Sequence, residues 1–149
     1  MDYEAVFEDI EEVKVASVRY TGDYKEGVKH MKDLYLKFKK KINGPFCSMY
    51  FSNSYSKVQE TECCVPVSEE FESDDKFQFK VLPAQRALCV MHIGKYEDLG
   101  NALAFITDYV RKNGLQVEYP VRLIYQKGPS VLIKGNPEKY ETKIIVPIV

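Results

Sequence analysis

The first apolar pattern in the chain has a period of two. Residues 13–20, VKVASVRY, are rich in β-branched side chains, end at Thr21-Gly22, and predict a strand. The period then lengthens. Val28, Met31, Leu34, Tyr35, Phe38 and Ile42 recur at helical spacing and predict a helix over residues 25–42. Lys25, Lys29, Lys32, Lys37, Lys39, Lys40 and Lys41 fill its remaining positions, several of them in the last turn, where the helix dipole favours cations. Asn43-Gly44 reads as the stop. After Pro45, residues 46–51 (FCSMYF) and 60–67 (ETECCVPV) predict two further strands around a turn at SNSYSK. Residues 1–12 read as a short acidic lead-in, and 68–77 (SEEFESDDKF), acidic and without period, as a linker.

The chain then repeats itself. Residues 84–93 predict a strand. Residues 96–112 predict a helix with Leu99, Ala102, Leu103, Ile106 and Val110 as its buried stripe. Strands follow at 121–126 (VRLIYQ) and 141–148 (ETKIIVPI), separated by the Gly- and Pro-punctuated excursion KGPSVLIKGNPEKY. Segment 18–44 matches segment 90–114: Gly22 answers Gly94, Tyr24 answers Tyr96, and Asn43-Gly44 answers Asn113-Gly114. A strand–helix–strand–strand unit is marginal alone. The expectation is therefore an α+β fold of two tandem modules, about 13–67 and 78–149, related by a pseudo-twofold axis. They would share an antiparallel sheet of about eight strands with the helices on one face and a ligand-sized groove where the copies meet.

Strand side chains alternate between faces, so the two copies can be compared position by position. Cys63, Val65 and Val67 match Ile144, Val146 and Ile148, apolar in both copies, and are expected beneath the helices. Met49 matches Ile124 and Val18 matches Val90 in the same way. This leaves Ser48, Tyr50, Leu123, Tyr125, Arg19, Met91, Glu60 and Glu62 for an open face. Tyrosine rings beside a carboxylate could hold a flat or cationic organic ligand. An antiparallel sheet with one solvated face carries the same residue types for solubility alone.

At 149 residues and net charge −1, the composition names no bulk electrostatic partner such as nucleic acid or a membrane surface. No apolar run reaches membrane-spanning length and the N-terminus is acidic rather than signal-like, so a cytoplasmic location is expected. Cys47, Cys63, Cys64 and Cys89 have no CxxC spacing and read as reduced, small hydrophobes, with no metal or cofactor implied. His92 stands where Tyr20 stands in the first copy, on the core side, and reads as structural. Haem held by His30 or His92 is a remote alternative. No nucleophile elbow or triad order is present.

On HIGKYEDLGNALAFITDYVRKNG, the strand PVRLIY and the paired endings CVPV and IVPI, the chain resembles the GyrI-like superfamily, the bacterial transcription-activator effector-binding domain. The resemblance runs from about residue 13 to 149 and implies the duplicated fold reached above. It also implies a stand-alone member holding a hydrophobic or aromatic ligand, cationic drugs included, between its modules, with Tyr96 added to the site. Sensing or sequestering is expected, without catalysis or direct nucleic-acid binding, by a monomer or weak dimer. The alternatives are a hydrolase of electrophilic natural products, with His92 or Glu62 as base, and a protein that docks to a DNA enzyme or transcription factor. One departure matters: the family's strand commonly reads Arg-Glu-x-Tyr, whereas this chain has Arg122-Leu123-Ile124-Tyr125. Glu62, or failing that Glu60, could supply the missing acid, but the departure points first to a more neutral and apolar pocket with Tyr50 and Tyr125 retained.

Overall fold

The computed structural model describes residues 2–51, 59–129 and 134–149. In chain order the elements are β1 (Val6–Ile10), β2 (Val13–Gly22), α1 (Tyr24–Phe38), β3 (Cys47–Tyr50), β4 (Gln59–Pro66) and β5 (Gln78–Leu82). Then follow β6 (Gln85–Ile93), α2 (Leu99–Lys112), β7 (Val121–Lys127) and β8 (Glu141–Pro147). The fold is α+β, with eight strands in antiparallel ladders and two helices. Among the described residues no helix is long and apolar enough to cross a membrane. The turn expected at SNSYSK and residues 130–133 of the later excursion lie outside the described residues.

The chain forms two compact units, Glu11–Ala84 and Met1–Ile10 with Gln85–Val149. In the first unit the strands lie in the order β3-β4-β2-β5. The registers Val18↔Cys63, Ala16↔Val65 and Ala16↔Phe79 put these side chains on one face. Helix α1 lays Leu34 and Phe38 onto that face, in one cluster with Val67. Leu34 and Phe38 are 0% and 5% exposed, so each contributes about 1.5–3 kcal/mol of apolar burial. Residues 68–77 form no helix or strand, yet they complete this core. Phe71 packs 4.5 Å from Phe38, and Phe77 meets Phe38 edge-on at 5.4 Å.

Two details of α1 differ from the periodicity. Val28 is 47% exposed, and buried Gly27 takes its place in the stripe with Met31, Leu34 and Phe38. The missing side chain is what the packing needs: a Cβ at Gly27 would meet the Tyr20 hydroxyl at 2.5 Å, and Cys63 Sγ donates to the Gly27 carbonyl at 3.7 Å. The helix also ends at Phe38, before Asn43-Gly44. Ile42 is drawn instead into a bridge with Val67, and the Asn43 amide donates to the Pro66 carbonyl. Helix α2 stops where the sequence indicates, at Asn113 followed by Gly114 with φ of +60°.

In the second unit the order is β1-β6-β8-β7. The acidic lead-in is thus in part a strand. Phe7 of β1 lies across from Leu88 and its ring contacts Tyr109 of α2, so the face carrying Leu88 is the helix side. Val90, His92, Leu123, Tyr125, Thr142, Ile144 and Val146 share it by register. Neither β1 nor β5 is visible in the periodicity. Each pairs with a strand remote in sequence: β1 leads into β2 but pairs with β6, whereas β5 leads into β6 but pairs with β2.

Candidate functional site

Register decides which side chains can share a surface. In the first unit Met49 pairs with Glu62 and Cys47 with Cys64, on the face away from α1. Ser48 and Tyr50 pair with Cys63 and Thr61, on the helix side. In the second unit Ile124 clusters with Ala87, Cys89 and Ile145 on the face away from α2, leaving Leu123 and Tyr125 on the helix side. The open-face assignment of Ser48, Tyr50, Leu123 and Tyr125 is therefore corrected. The strand bearing them sits one residue out of phase with the apolar vote, because Met49 and Ile124 face a second buried surface rather than the helices. Arg19, Glu62 and Met91 do lie on the faces away from their helices. Tyr96 begins the 3₁₀ turn before α2.

The far face of the first unit is not open either. Val15, Ser17, Cys47, Met49, Glu62 and Cys64 are all between 0% and 3% exposed. Within this dry strip Glu62 carries the one buried carboxylate of the described residues. Arg19 stands directly across from it in the β2–β4 ladder. Arg19 nevertheless turns aside: its Nε donates to Glu60 Oε1 at 2.7 Å, and its guanidinium lies 4.1 Å from the centre of the Phe51 ring. Lys80 reaches in from β5 instead, with Nζ 2.9 Å from Oε1 and 2.7 Å from Oε2 of Glu62. Only the Oε1 contact has hydrogen-bond geometry, so Oε2 retains unused acceptor capacity.

The tyrosines belong to two matching clusters under the helix N-termini. In the first, Tyr20 sits between Tyr50, Thr61 and Cys63 and packs 4.7 Å from the His30 ring. Burial, then the neighbouring Cys63, raises the Tyr20 hydroxyl well above its ordinary pKa. In the second, Tyr96 meets Tyr125 edge-on at 5.5 Å and Tyr140 at 5.1 Å. His92, fully buried, accepts from the Tyr3 hydroxyl at Nδ1 and donates from Nε2 to the Lys95 carbonyl, both at 2.9 Å. Both ring nitrogens are engaged, and the carbonyl partner fixes the tautomer. His92 is thus a structural histidine, as expected, and has no free nitrogen with which to act as a base.

The thiols of Cys63, Cys64 and Cys89 are held protonated. Burial pushes Cys63 up to about 11. Burial, and then the Glu8 carboxylate beside it, pushes Cys89 up to about 12. The contact with Cys47, then burial, raises Cys64. Such thiols are poor nucleophiles and metal ligands, and among the described residues no cluster of three or more His, Cys, Asp or Glu could hold a metal ion. A separate hollow of about 330 Å³ lies on the first unit, with Phe38, Phe71 and Phe77 as its floor and Lys37, Lys41 and Asp74 on its rim. Its rim mixes both signs of charge and so selects for neither.

The family model for the GyrI-like small molecule binding domain matches residues 3–149. Among curated protein sequences none matches the chain. The crystal structure of the EcmrR C-terminal domain superposes with TM-score 0.87 at 23% identity, covering 100% of this chain and 99% of that one. EcmrR in its DNA complex gives TM-score 0.87 at 24% identity, covering 98% of this chain, which spans 57% of the EcmrR chain. SAV2435 bound to tetraphenylphosphonium gives 0.62 at 14% identity, covering 100% of this chain and 94% of that one. At these identities the likenesses establish the fold.

Proposed function

Because the chain belongs to the family of GyrI-like small-molecule-binding domains, we propose that it holds a compact, largely aromatic ligand against the far face of its first unit, with Glu62 as the polar anchor. The single observation that carries this reading is the Glu62 carboxylate, 1% exposed on an apolar strip beside Met49 and paired with Lys80. A buried charge costs several kcal/mol and is a weak source of stability even when paired. Its presence on a dry β-face is therefore better explained by a ligand than by the fold. Arg19, across from Glu62 in the ladder, belongs to the same reading. Ser48, Tyr50, Tyr96, Leu123 and Tyr125 support the frame from the helix sides.

The function is sensing or sequestration rather than turnover. His92 has both ring nitrogens engaged and the Cys63 thiol is held protonated, so neither is a ready base or nucleophile. The fold likeness to the C-terminal domain of EcmrR, a protein also solved in complex with DNA, supports sensing on behalf of a DNA-binding partner. A thermal-shift screen of neutral aromatic compounds and lipophilic cations tests the reading. Some member should raise Tm, through mass action on the folded state, and Glu62→Gln should remove most of the rise. No stabilising compound, or full retention in Glu62→Gln, would overturn it.

A further inference from the structure

The Glu62–Lys80 pair is asymmetric. The Glu62 side chain is 1% exposed and held by a central strand, whereas Lys80 is 39% exposed and sits on β5, the last strand in the order of its unit. An ammonium on a four-carbon stem can return to water by rotating its side chain; the carboxylate has no such exit. Arg19, the residue facing Glu62 in the ladder, is occupied by Glu60 and the Phe51 ring. Lys80 pairs with Glu62 through a side chain that can leave it for water.

We propose that Lys80 sets the charge preference of this site. With its Nζ on Glu62 the strip is electrically neutral and suits an uncharged aromatic ligand. With the Lys80 side chain swung out, the same carboxylate faces a monocation of similar shape. A cationic ligand must displace an intramolecular competitor, and an uncharged one need not. This inference rests on Glu62 facing the ligand, and it assigns Lys80 a specificity role distinct from that reading.

The test is calorimetric titration of the full chain with two probes of like shape, tetraphenylphosphonium and the uncharged triphenylphosphine oxide. Lys80→Met keeps the apolar stem and removes the competitor. It should bind the cation about tenfold or more tightly than the native chain, as expected for releasing a charged hydrogen bond, with no gain for the neutral probe. Lys80→Arg keeps the charge and should retain the native Kd for both probes, and Glu62→Gln with Lys80→Met should lose the gain. Urea denaturation of each variant confirms that it is folded. Equal cation Kd in the native chain and Lys80→Met, or a gain that survives in the double variant, overturns the role of Lys80 while leaving the ligand site in place. Failure of both probes to bind any variant removes the ligand site and the role of Lys80 together.

Discussion

Leu123 gives the sharpest test of the face assignment. The family pattern favours a glutamate there, and a position on an open ligand face would accept Leu123→Glu at little cost. The structure places Leu123 5% exposed on the helix side, across from Ile144 at 0%. Leu123→Glu then loses about 2 kcal/mol of apolar burial. The introduced carboxyl, with no cation facing it in the ladder, must also be held neutral. Each unit by which its pKa rises costs about 1.4 kcal/mol at neutral pH, so a rise of two to three units adds roughly 3–4 kcal/mol. The total, about 5 kcal/mol, rivals the whole stability of a small domain. The pH dependence has a definite sign. A group whose pKa is raised on folding favours the folded state below its unfolded value and loses that contribution as pH rises through the folded value. The variant should therefore be nearer native stability at pH 5 than at pH 8. Urea denaturation followed by circular dichroism at both pH values measures this, with Leu123→Ala as the control for lost burial alone. A Leu123→Glu protein within about 1 kcal/mol of native stability at pH 8 would refute the register and return Leu123 to an exposed surface.

Four further outcomes follow from the same contacts. Tyr3→Phe leaves Nδ1 of fully buried His92 without its donor and should cost about 1–3 kcal/mol in urea denaturation, whereas Tyr125→Phe should leave ligand binding unchanged. Phe38→Ala, at the meeting point of Phe71 and Phe77, should cost about 3–5 kcal/mol by the same assay. Because Cys63 is raised from 9.0 to about 11, it favours the folded state below pH 9; up to about 3 kcal/mol of that should disappear between pH 9 and 11, and the alkaline loss should be smaller in Cys63→Ala.

The α+β class, both helices, six of the strands and the family were legible because they rest on period and on duplication. What escaped has identifiable causes. Strands β1 and β5 are five residues each, at the ends of their units' strand orders, and carry Glu8, Asp9 and Lys80 among their apolar residues. Short charged edge strands protect a sheet from unwanted pairing, and the same feature makes them resemble linkers. The place of Gly27 in the α1 stripe was hidden because an apolar-residue pattern cannot count a glycine as buried.

Equivalent positions of the two copies were legible in the sequence, but the faces of β3 and β7 were not. Comparing the copies identifies equivalent positions correctly: Tyr50 and Tyr125 are equivalent, each paired in register with a threonine, Thr61 and Thr142. The comparison assigns faces only if one face is dry. Here Met49 is 2% exposed on the far side and Ile124 packs with Cys89 and Ile145, so "apolar in both copies" marks either surface. A strand buried on both faces has no polar side to set its phase, and a one-residue error then reverses every side chain. Glu62 escaped that error because strand β4 carries Cys63 and Val65 on the α1 face with unbroken alternation. The face of Glu62 away from α1 was thus read as the ladder has it, although that face is buried rather than open, while Tyr50 and Tyr125 were assigned to the wrong face. The tyrosines of β3 and β7 therefore pack on the helix sides, and the polar group on the far face of the first unit is the buried acid paired with Lys80.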